Sequence, residues 1–254
     1  TEGNGGSAEI DISGGTIVTG TIGGGTTLNP SGNIGFAKAI ITDGDITGQF
    51  IMAKGADEPC TFTMTGGILN GLDTSTTSFN YKNGGAVYMD DPSGVATITG
   101  GSIENCHGEN GGAIYMTAGT FSLNGTGSIS NCSSNGLGGA IYLGKTSTTK
   151  GTVYVYNGTI ANNSASNSNG GAIYLDGGDA YISGGILKNN SSINGGGAYL
   201  AGGTLNVTGG NIQSNTAVNG AGAYLAGGEL NVSSGVINNN IATSNGGGAY
   251  LEGG

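Results

Sequence analysis

The sequence predicts an all-β protein, a right-handed parallel β-helix with three short strands in each coil of about 25–27 residues. The first observation is a repeat: a Tyr followed by Leu or Met returns at spacings of 27, 27, 32, 25, 25 and 26 residues. The second is composition, because 57 of the 254 residues are Gly and only 9% are charged. The third is the alternation of apolar and polar residues in short runs between Gly-rich turns, which is typical of strands.

Each coil contains three predicted strands in a fixed order. The first is Gly-Gly-Ala-Ile-Tyr-Leu, as at 138–143 and 170–175. The second is an alternating run, such as VYVY at 153–156 or LNVT at 205–208, and the third is an aliphatic residue shortly before Asn, as at 160–163. A unit of this length is too short for a propeller blade of about 40 residues but fits one coil of a parallel β-helix. Parallel crossovers are almost always right-handed, so we expect a right-handed coil.

The second strand predicts which side chains face the core. Its alternate positions form one apolar column that should point inward: Ile98, Leu123, Val155, Ile182, Val207 and Val232. The residues that follow them should point to solvent: Thr99, Tyr156, Ser183, Thr208 and Ser233. A slip of one residue would turn the apolar column to solvent, so the alternation fixes the register.

An Asn column follows the third strand, where a turn is expected. Its members are Asn163, Asn190, Asn215 and Asn240. Stacked Asn amides can hydrogen-bond along the axis, as in other ladders of identical residues. Cys106 and Cys132 occupy the same column in adjacent coils, where they form either a stacked pair of thiols or a disulfide.

The chain divides into an irregular and a regular part. Residues 84–254 are predicted to be regular β-helix repeats that continue beyond this sequence. Residues 1–83 are predicted to be irregular N-terminal coils or a cap, in which 10–20 and 62–71 resemble the second strand and its Gly-Gly turn. Residues 26–60 are interpreted as coils carrying insertions or as part of the cap.

The charge balance disfavours anionic partners. The formal net charge is −10, and all six cations are Lys. Such a surface repels nucleic acid, and it lacks the guanidinium fork that binds phosphate or carboxylate groups in a bidentate manner. No run approaches about 18 uninterrupted apolar residues, so no membrane insertion is predicted. The acidic, Asn- and Thr-rich composition favours an extracellular location.

No catalytic or metal-binding constellation is predicted. The acids of the regular repeats are interpreted as solvated turn residues: Asp90, Asp91, Glu104, Asp176 and Asp179. His107 is the only His, and adjacent residues such as Cys106 and His107 diverge on a strand or turn, which is poor geometry for a nucleophile and its base. The sequence therefore predicts no cofactor, and the alternative is a Ca²⁺ ion bridging Asp176 and Asp179.

The recurring tyrosines are the candidate ligand-binding surface, which we call the Tyr stripe. Its members are Tyr88, Tyr115, Tyr142, Tyr174, Tyr199, Tyr224 and Tyr250. If Ile141 and Leu143 face inward, Tyr142 faces outward, and the stripe is exposed. If Ala140 and Tyr142 face inward instead, the stripe is part of the core. An exposed stripe flanked by Asn and Ser would suit a glycan or a host-surface ligand, since Tyr has an apolar body and a polar tip.

The repeats resemble those of the polymorphic outer-membrane proteins, in which Gly-Gly-Ala-Ile is paired with Phe-x-x-Asn. The first motif occurs as GGAV at 84–87 and as GGAI at 111–114, 138–141 and 170–173. The second has an aliphatic residue in place of Phe, at Ile160, Leu187, Ile212 and Ile237. The resemblance covers residues 84–254 and implies a surface-exposed β-helix of a bacterial adhesin or autotransporter passenger.

These observations predict a non-enzymatic adhesin or stalk module on a bacterial cell surface. One alternative is a carbohydrate-active β-helix enzyme, a polysaccharide hydrolase or lyase. Another is an ice-binding protein, since Thr-x-Thr pairs occur at 61–63, 63–65 and 97–99, although later coils break the rank.

Overall fold

The computed structural model describes residues 9–24, 38–53, 59–75 and 81–252. Within these ranges the protein is all-β, with parallel strands stacked into a β-solenoid, which confirms the predicted fold class. Every pairing between the named strands is parallel, as at Ile141 opposite Ile173 and Val207 opposite Val232. Residues of one coil therefore lie beside their counterparts in the next.

The strands are β1 Glu9–Gly24, β2 Lys38–Met52, β3 Thr61–Met64, β4 Ile68–Asn70, β5 Val87–Met89, β6 Val95–Ile98, β7 Ser102–Glu104, β8 His107–Gly108, β9 Ile114–Met116, β10 Thr120–Leu123, β11 Ser128–Ser130, β12 Ser133–Ser134, β13 Ile141–Leu143, β14 Thr152–Val155, β15 Thr159–Ala161, β16 Ser164–Asn169, β17 Ile173–Ile182, β18 Ile186–Lys188, β19 Ser191–Asn194, β20 Ala198–Val207, β21 Asn211–Gln213, β22 Thr216–Asn219, β23 Ala223–Leu225, β24 Glu229–Val232, β25 Val236–Asn238, β26 Ile241–Asn245 and β27 Ala249–Leu251.

A regular coil contains four strands rather than the three predicted. In one coil these are β6, β7, β8 and β9, and the unpredicted strand belongs to a separate six-stranded sheet of β8, β12, β16, β19, β22 and β26. Its segments, such as SASNSN in β16 and TAVN in β22, are rich in Ser and Asn and lack a sustained aliphatic alternation. The sequence therefore predicts turns for these segments. Backbone pairing with the equivalent segments of the neighbouring coils is enough to hold them as strands.

The face formed by β3, β6, β10, β14 and β24, together with the later parts of β17 and β20, is called the wide face. Its predicted inward column is confirmed: each residue from Ile98 to Val207 is fully buried and in register with its neighbour in the next coil. Burial of each such aliphatic side chain contributes about 1.5–3 kcal/mol. Val232 is 46% exposed because it lies in the last described coil, where no described coil packs over it.

The predicted outward positions on the wide face are also confirmed. Each is exposed where the strand ends: Thr99, Tyr156, Ser183, Thr208 and Ser233. The inward column extends towards the N-terminus through Met64, Ile41 and Ile12, which are in register with one another. Residues 38–52 thus form part of the same solenoid, whereas the interpretation of 26–37 and 54–58 lies outside the described residues.

A residue in the left-handed conformation makes the corner after the third strand of each coil from β7 to β25. The positions share a φ between 53° and 58°: Asn105, Asn131, Asn162, Asn189, Ser214 and Asn239. Asn tolerates this region because its short polar side chain can hydrogen-bond locally, whereas most L-residues are strained there. The corner explains why Asn recurs immediately before the buried Asn column.

Replacing Asn189 with Ala is expected to lower the free energy of unfolding by about 1–2 kcal/mol, because Ala is strained at positive φ. Asn189→Gly should be close to neutral, since Gly adopts this conformation without a Cβ penalty. Urea unfolding followed by circular dichroism measures both changes. Ser183→Ala, at an exposed position without a positive φ, is the control. Equal losses in the Ala and Gly variants would contradict the backbone explanation.

Candidate functional site

The Tyr stripe has the outward of its two predicted orientations. Ile141 and Leu143 on either side of Tyr142 are fully buried, and the same alternation surrounds Tyr115 and Tyr199. Strands β5, β9, β13, β23 and β27 and the first parts of β17 and β20 align these tyrosines in register. The solenoid therefore forms one continuous aromatic column on its surface.

The rings of the Tyr stripe stack on one another, so their faces are largely covered. Neighbouring ring centroids lie 4.9–5.6 Å apart, and the planes of the first five pairs differ by 5–14°. The last pair, Tyr224 and Tyr250, is tilted by 33°. Tyr174 and Tyr224 retain only 9% and 6% exposure. The stripe presents mainly ring edges and hydroxyls to solvent, which is a different surface from an open aromatic platform.

Tyr142 and Tyr88 of the stripe donate their hydroxyls to carboxylates. Tyr142 Oη donates to Asp176 Oδ2 at 2.9 Å, and Tyr88 Oη donates to Asp90 Oδ2 at 3.3 Å. Burial, followed by the Asp176 carboxylate, raises the pKa of Tyr142, and burial with the charge of Asp90 raises the pKa of Tyr88. The phenols are therefore held in their neutral, hydrogen-bonding form.

Alkaline pH is expected to destabilise the stripe. Burial, then Tyr199 and Asp176, raises the pKa of Tyr174 from 10.0 to about 12. Because the folded pKa is above the unfolded value, this contribution to stability is fully present below pH 10 and is lost as the pH rises towards 12. Denaturant unfolding at pH 8, 10 and 11, beside a phenolate absorbance titration, measures the loss. Tyr174→Phe should reduce it, and an equal loss in that variant would contradict the assignment.

The predicted Asn column is a hydrogen-bonded ladder, which we call the inner Asn ladder. Asn163, Asn190 and Asn215 are fully buried, and each donates its Nδ2 to the Oδ1 of the next Asn at 3.0 Å. Each also donates its backbone N to the same oxygen at 2.9–3.0 Å. The second amide hydrogen of Asn190 goes to the carbonyl of Ile160. Each buried amide is therefore paired, as burial requires.

A second ladder escaped the sequence analysis and is called the outer Asn ladder. It contains Asn169, Asn194, Asn219 and Asn245, whose amides bond at 2.9–3.0 Å. Each Nδ2 here donates to the preceding coil, the reverse of the direction in the inner Asn ladder. The signal was present in the sequence, because each of these Asn residues directly precedes a Gly.

The three cysteines are free and buried. Of the two predicted arrangements, the stacked thiol pair is the one present. Cys106 Sγ donates to the Glu104 carbonyl at 3.3 Å and Cys132 Sγ to the Ser130 carbonyl at 3.2 Å. Burial raises the pKa of Cys106, and burial with the Asp91 carboxylate raises that of Cys60 to about 11. Cys60 and Cys106 are therefore poor nucleophiles, because the thiolate is the reactive form.

The turn acids have partners within the chain. Asp91 accepts from the backbone N of Cys60 and of Ser93, at 3.1 and 2.9 Å. Asp176 accepts from the stripe, and Asp179 forms an ion pair with Lys150. Among the described residues, no three His, Cys, Asp or Glu side chains are grouped to hold a metal ion. Ca²⁺ bridging by Asp176 and Asp179 stays a prediction.

Glu104 lies between uncharged residues. It is in register with Asn70 in the preceding coil and with Ser130 in the following coil. The two neighbouring coils therefore place no second carboxylate opposite it on the strand.

His107 lies in a polar row on the fourth strand. Its Nδ1 is 2.7 Å from Ser133 Oγ, and its Nε2 is 3.2 Å from Asn135 Oδ1. The order Ser133, His107 and Asn135 resembles that of a nucleophile, a base and an orienting group. However, the backbone N atoms of Ser133, Asn135 and Gly136 donate to carbonyls of the preceding coil. None of these three donors is available to hold an oxyanion.

The wide face carries a second aromatic cluster that sequence reasoning did not identify as a site. One outward column of this face contains Thr63 and Thr97 and continues as Ser122, Tyr154, Tyr181, Asn206 and Asn231. Tyr154 stacks on Tyr181 at 5.0 Å and lies parallel to Tyr156 at 5.4 Å. The sequence indicates this cluster through the run VYVY at 153–156, which places two aromatic residues on one side of a strand. The row of Thr residues ends one coil earlier, at Ser122.

The fold and surface define a parallel β-solenoid with an outward tyrosine stack and two asparagine ladders. Comparison with protein-family models, curated proteins and solved structures gives no match to this chain. In the part of the chain that the structure describes, no helix is long and apolar enough to cross a membrane.

Proposed function

We propose that this chain is a non-enzymatic extracellular module, an adhesin or stalk, of a bacterial surface protein. The observation that carries the proposal is the pair of Asn ladders, which join coil to coil through side chains as well as backbone. The inner ladder links Asn163 to Asn240 without interruption, and the outer ladder links Asn169 to Asn245. A rod fixed in this way suits the spacing or presentation of a binding surface.

The near-neutral columns support the same proposal. Stacked like charges would repel at the ~4.8 Å strand spacing, and the Tyr stripe and the two Asn ladders use uncharged Tyr and Asn instead. The Gly-Gly-Ala-Ile repeats at 111–114, 138–141 and 170–173 add their resemblance to polymorphic outer-membrane-protein repeats. Together, these features favour a surface module over a carbohydrate-active enzyme.

A binding and turnover screen of the whole chain tests the proposal. We expect saturable binding to a bacterial or host surface glycan or matrix protein, without product formation from polysaccharides. Release of reducing ends or unsaturated sugars would instead favour the enzyme. A folded chain that binds no component of the screen would overturn the adhesin and leave the stalk. A Tyr142→Ala, Tyr174→Ala, Tyr199→Ala and Tyr224→Ala variant, run beside it, tests whether the Tyr stripe is the binding surface.

A further inference from the structure

We propose that Tyr156, supported by Tyr154 and Tyr181, is a binding platform for a neutral saccharide on the wide face. This inference deepens the proposed adhesin function and rests on it. It assigns the ligand to a site other than the Tyr stripe.

Tyr156 is the most exposed of the tyrosines. All eleven tyrosines lie in the described residues, and only Tyr156 is classed as exposed, at 44%. Sugars bind aromatic residues through C–H groups laid on the ring, so an uncovered ring is needed. In the Tyr stripe each internal ring has a neighbour on both sides. Within the described residues, Tyr156 has one ring neighbour, Tyr154.

The coils on either side leave room above the Tyr156 ring. The corresponding positions are Asn124 in the preceding coil and Ser183 in the following coil, both much smaller than Tyr. Tyr154 and Tyr181 stack beside Tyr156 with planes that differ by 16°, and Tyr154 is parallel to Tyr156 within 2°. Tyr154 therefore restricts the Tyr156 ring on one side, which lowers the entropic cost of binding.

The rim offers hydrogen bonds without formal charge. Asn157 Nδ2 donates to Asn124 Oδ1 at 3.3 Å, and the exposed Ser183 and Thr208 hydroxyls continue the row. Amides and hydroxyls can both donate and accept, which matches the hydroxyls of a sugar. The one ion pair of this region, Lys150 with Asp179, lies at the opposite end of the strand and is internally neutralised.

Charge selects a neutral saccharide over an acidic one. The chain has a net charge of −10 and no Arg, so no guanidinium can bind a uronate or a sialic acid carboxylate. The outward positions beside Tyr156 are Asn or Ser rather than Lys. A polar, uncharged rim around one open aromatic ring therefore fits a neutral hexose or N-acetylhexosamine unit.

The test uses the whole chain and a panel of neutral hexose and N-acetylhexosamine oligosaccharides beside sialylated and uronate-containing ones. We expect saturable binding to a neutral member and an affinity at least about tenfold weaker in Tyr156→Ser, as for loss of an aromatic anchor. Ser is the residue that the following coil has at this position, so the variant should fold. Tyr156→Phe should retain most of the affinity, and saturation-transfer NMR should report contact with the aromatic ring.

Each other outcome would overturn the platform in a distinct way. Neutral-glycan binding that is unchanged in Tyr156→Ser would place the ligand elsewhere and leave the adhesin proposal standing. Binding only to acidic members would refute the charge argument. No binding by the folded wild-type chain to any glycan or matrix protein would overturn the platform and the adhesin together. Self-association that is lost in Tyr156→Ser, measured by ultracentrifugation, would identify a second copy as the occupant.

Discussion

Asn190→Leu is expected to lower the free energy of unfolding by about 4 kcal/mol or more. The Asn190 Oδ1 accepts from the backbone N and the Nδ2 of Asn163, and its Nδ2 donates to Asn215 Oδ1 and the Ile160 carbonyl. Leu has a similar volume but offers none of these bonds. A buried polar group left unpaired costs about 1–3 kcal/mol, and several lose their partner at once. Denaturant unfolding followed by circular dichroism measures the change.

The outer Asn ladder supplies the matched control for Asn190→Leu. Asn194 makes similar side-chain bonds to Asn169 and Asn219, but it is half-buried, so water can replace a lost partner. Asn194→Leu should therefore cost about 1 kcal/mol, the ordinary net value of a hydrogen bond. Similar losses at Asn190 and Asn194 would refute the special cost assigned to the buried amides.

Gly112→Ala is expected to have the second large effect, a loss of about 3 kcal/mol or more, comparable to overpacking a rigid core. A Cβ at Gly112 would lie less than 3.0 Å from the carbonyl oxygens of Gly139 and Ser133. Both obstacles are backbone atoms, and Gly139 belongs to the next coil. The Ala methyl can be accommodated only if the coils separate, which stretches several ladder hydrogen bonds together. The loss of unfolding free energy is measured as for Asn190→Leu.

Gly248→Ala is the control for the steric explanation. A Cβ at Gly248 meets no atom within 4 Å, and its φ is not positive. Earlier coils carry Ala113, Ala140 and Ala172 at the same position of the motif. The variant should be neutral or stabilised by about 0.4–1 kcal/mol through the unfolded state. A loss at Gly248 equal to that at Gly112 would mean that the glycines matter for a reason other than contact between coils.

Much of the architecture follows from periodicity. The alternation around Ile98 and Val155 fixed the inward column, and the recurrence of Asn190 and Asn215 predicted the inner ladder. Both depend on residues one coil apart lying side by side, which the repeat length establishes. The fourth strand was missed because its Ser- and Asn-rich segments carry no apolar period, and stacking alone determines their conformation.

The candidate site was less predictable than the fold. Alternation indicated that Tyr142 could face outward, but ring exposure depends on rotamers and on the neighbours above and below. In the Tyr stripe those neighbours are also Tyr, so stacking covers the ring faces. At Tyr156 they are Asn124 and Ser183, so the ring stays open. The difference in ring exposure arises from the residues of the neighbouring coils, so the sequence of a single coil does not show it.

The most direct measurement tests whether one sequence repeat forms one coil of a rigid rod. Spin labels at Thr97→Cys and Asn231→Cys would sit in one outward column, separated by five coil steps. Deleting residues 195–219 joins Asn194 to Gly220 in register. We predict a folded protein with a narrow inter-label distance shortened by about 4.8 Å, one strand spacing. An unchanged distance, a broad distribution, or an equally well-folded protein after deleting only 195–207 would contradict the account.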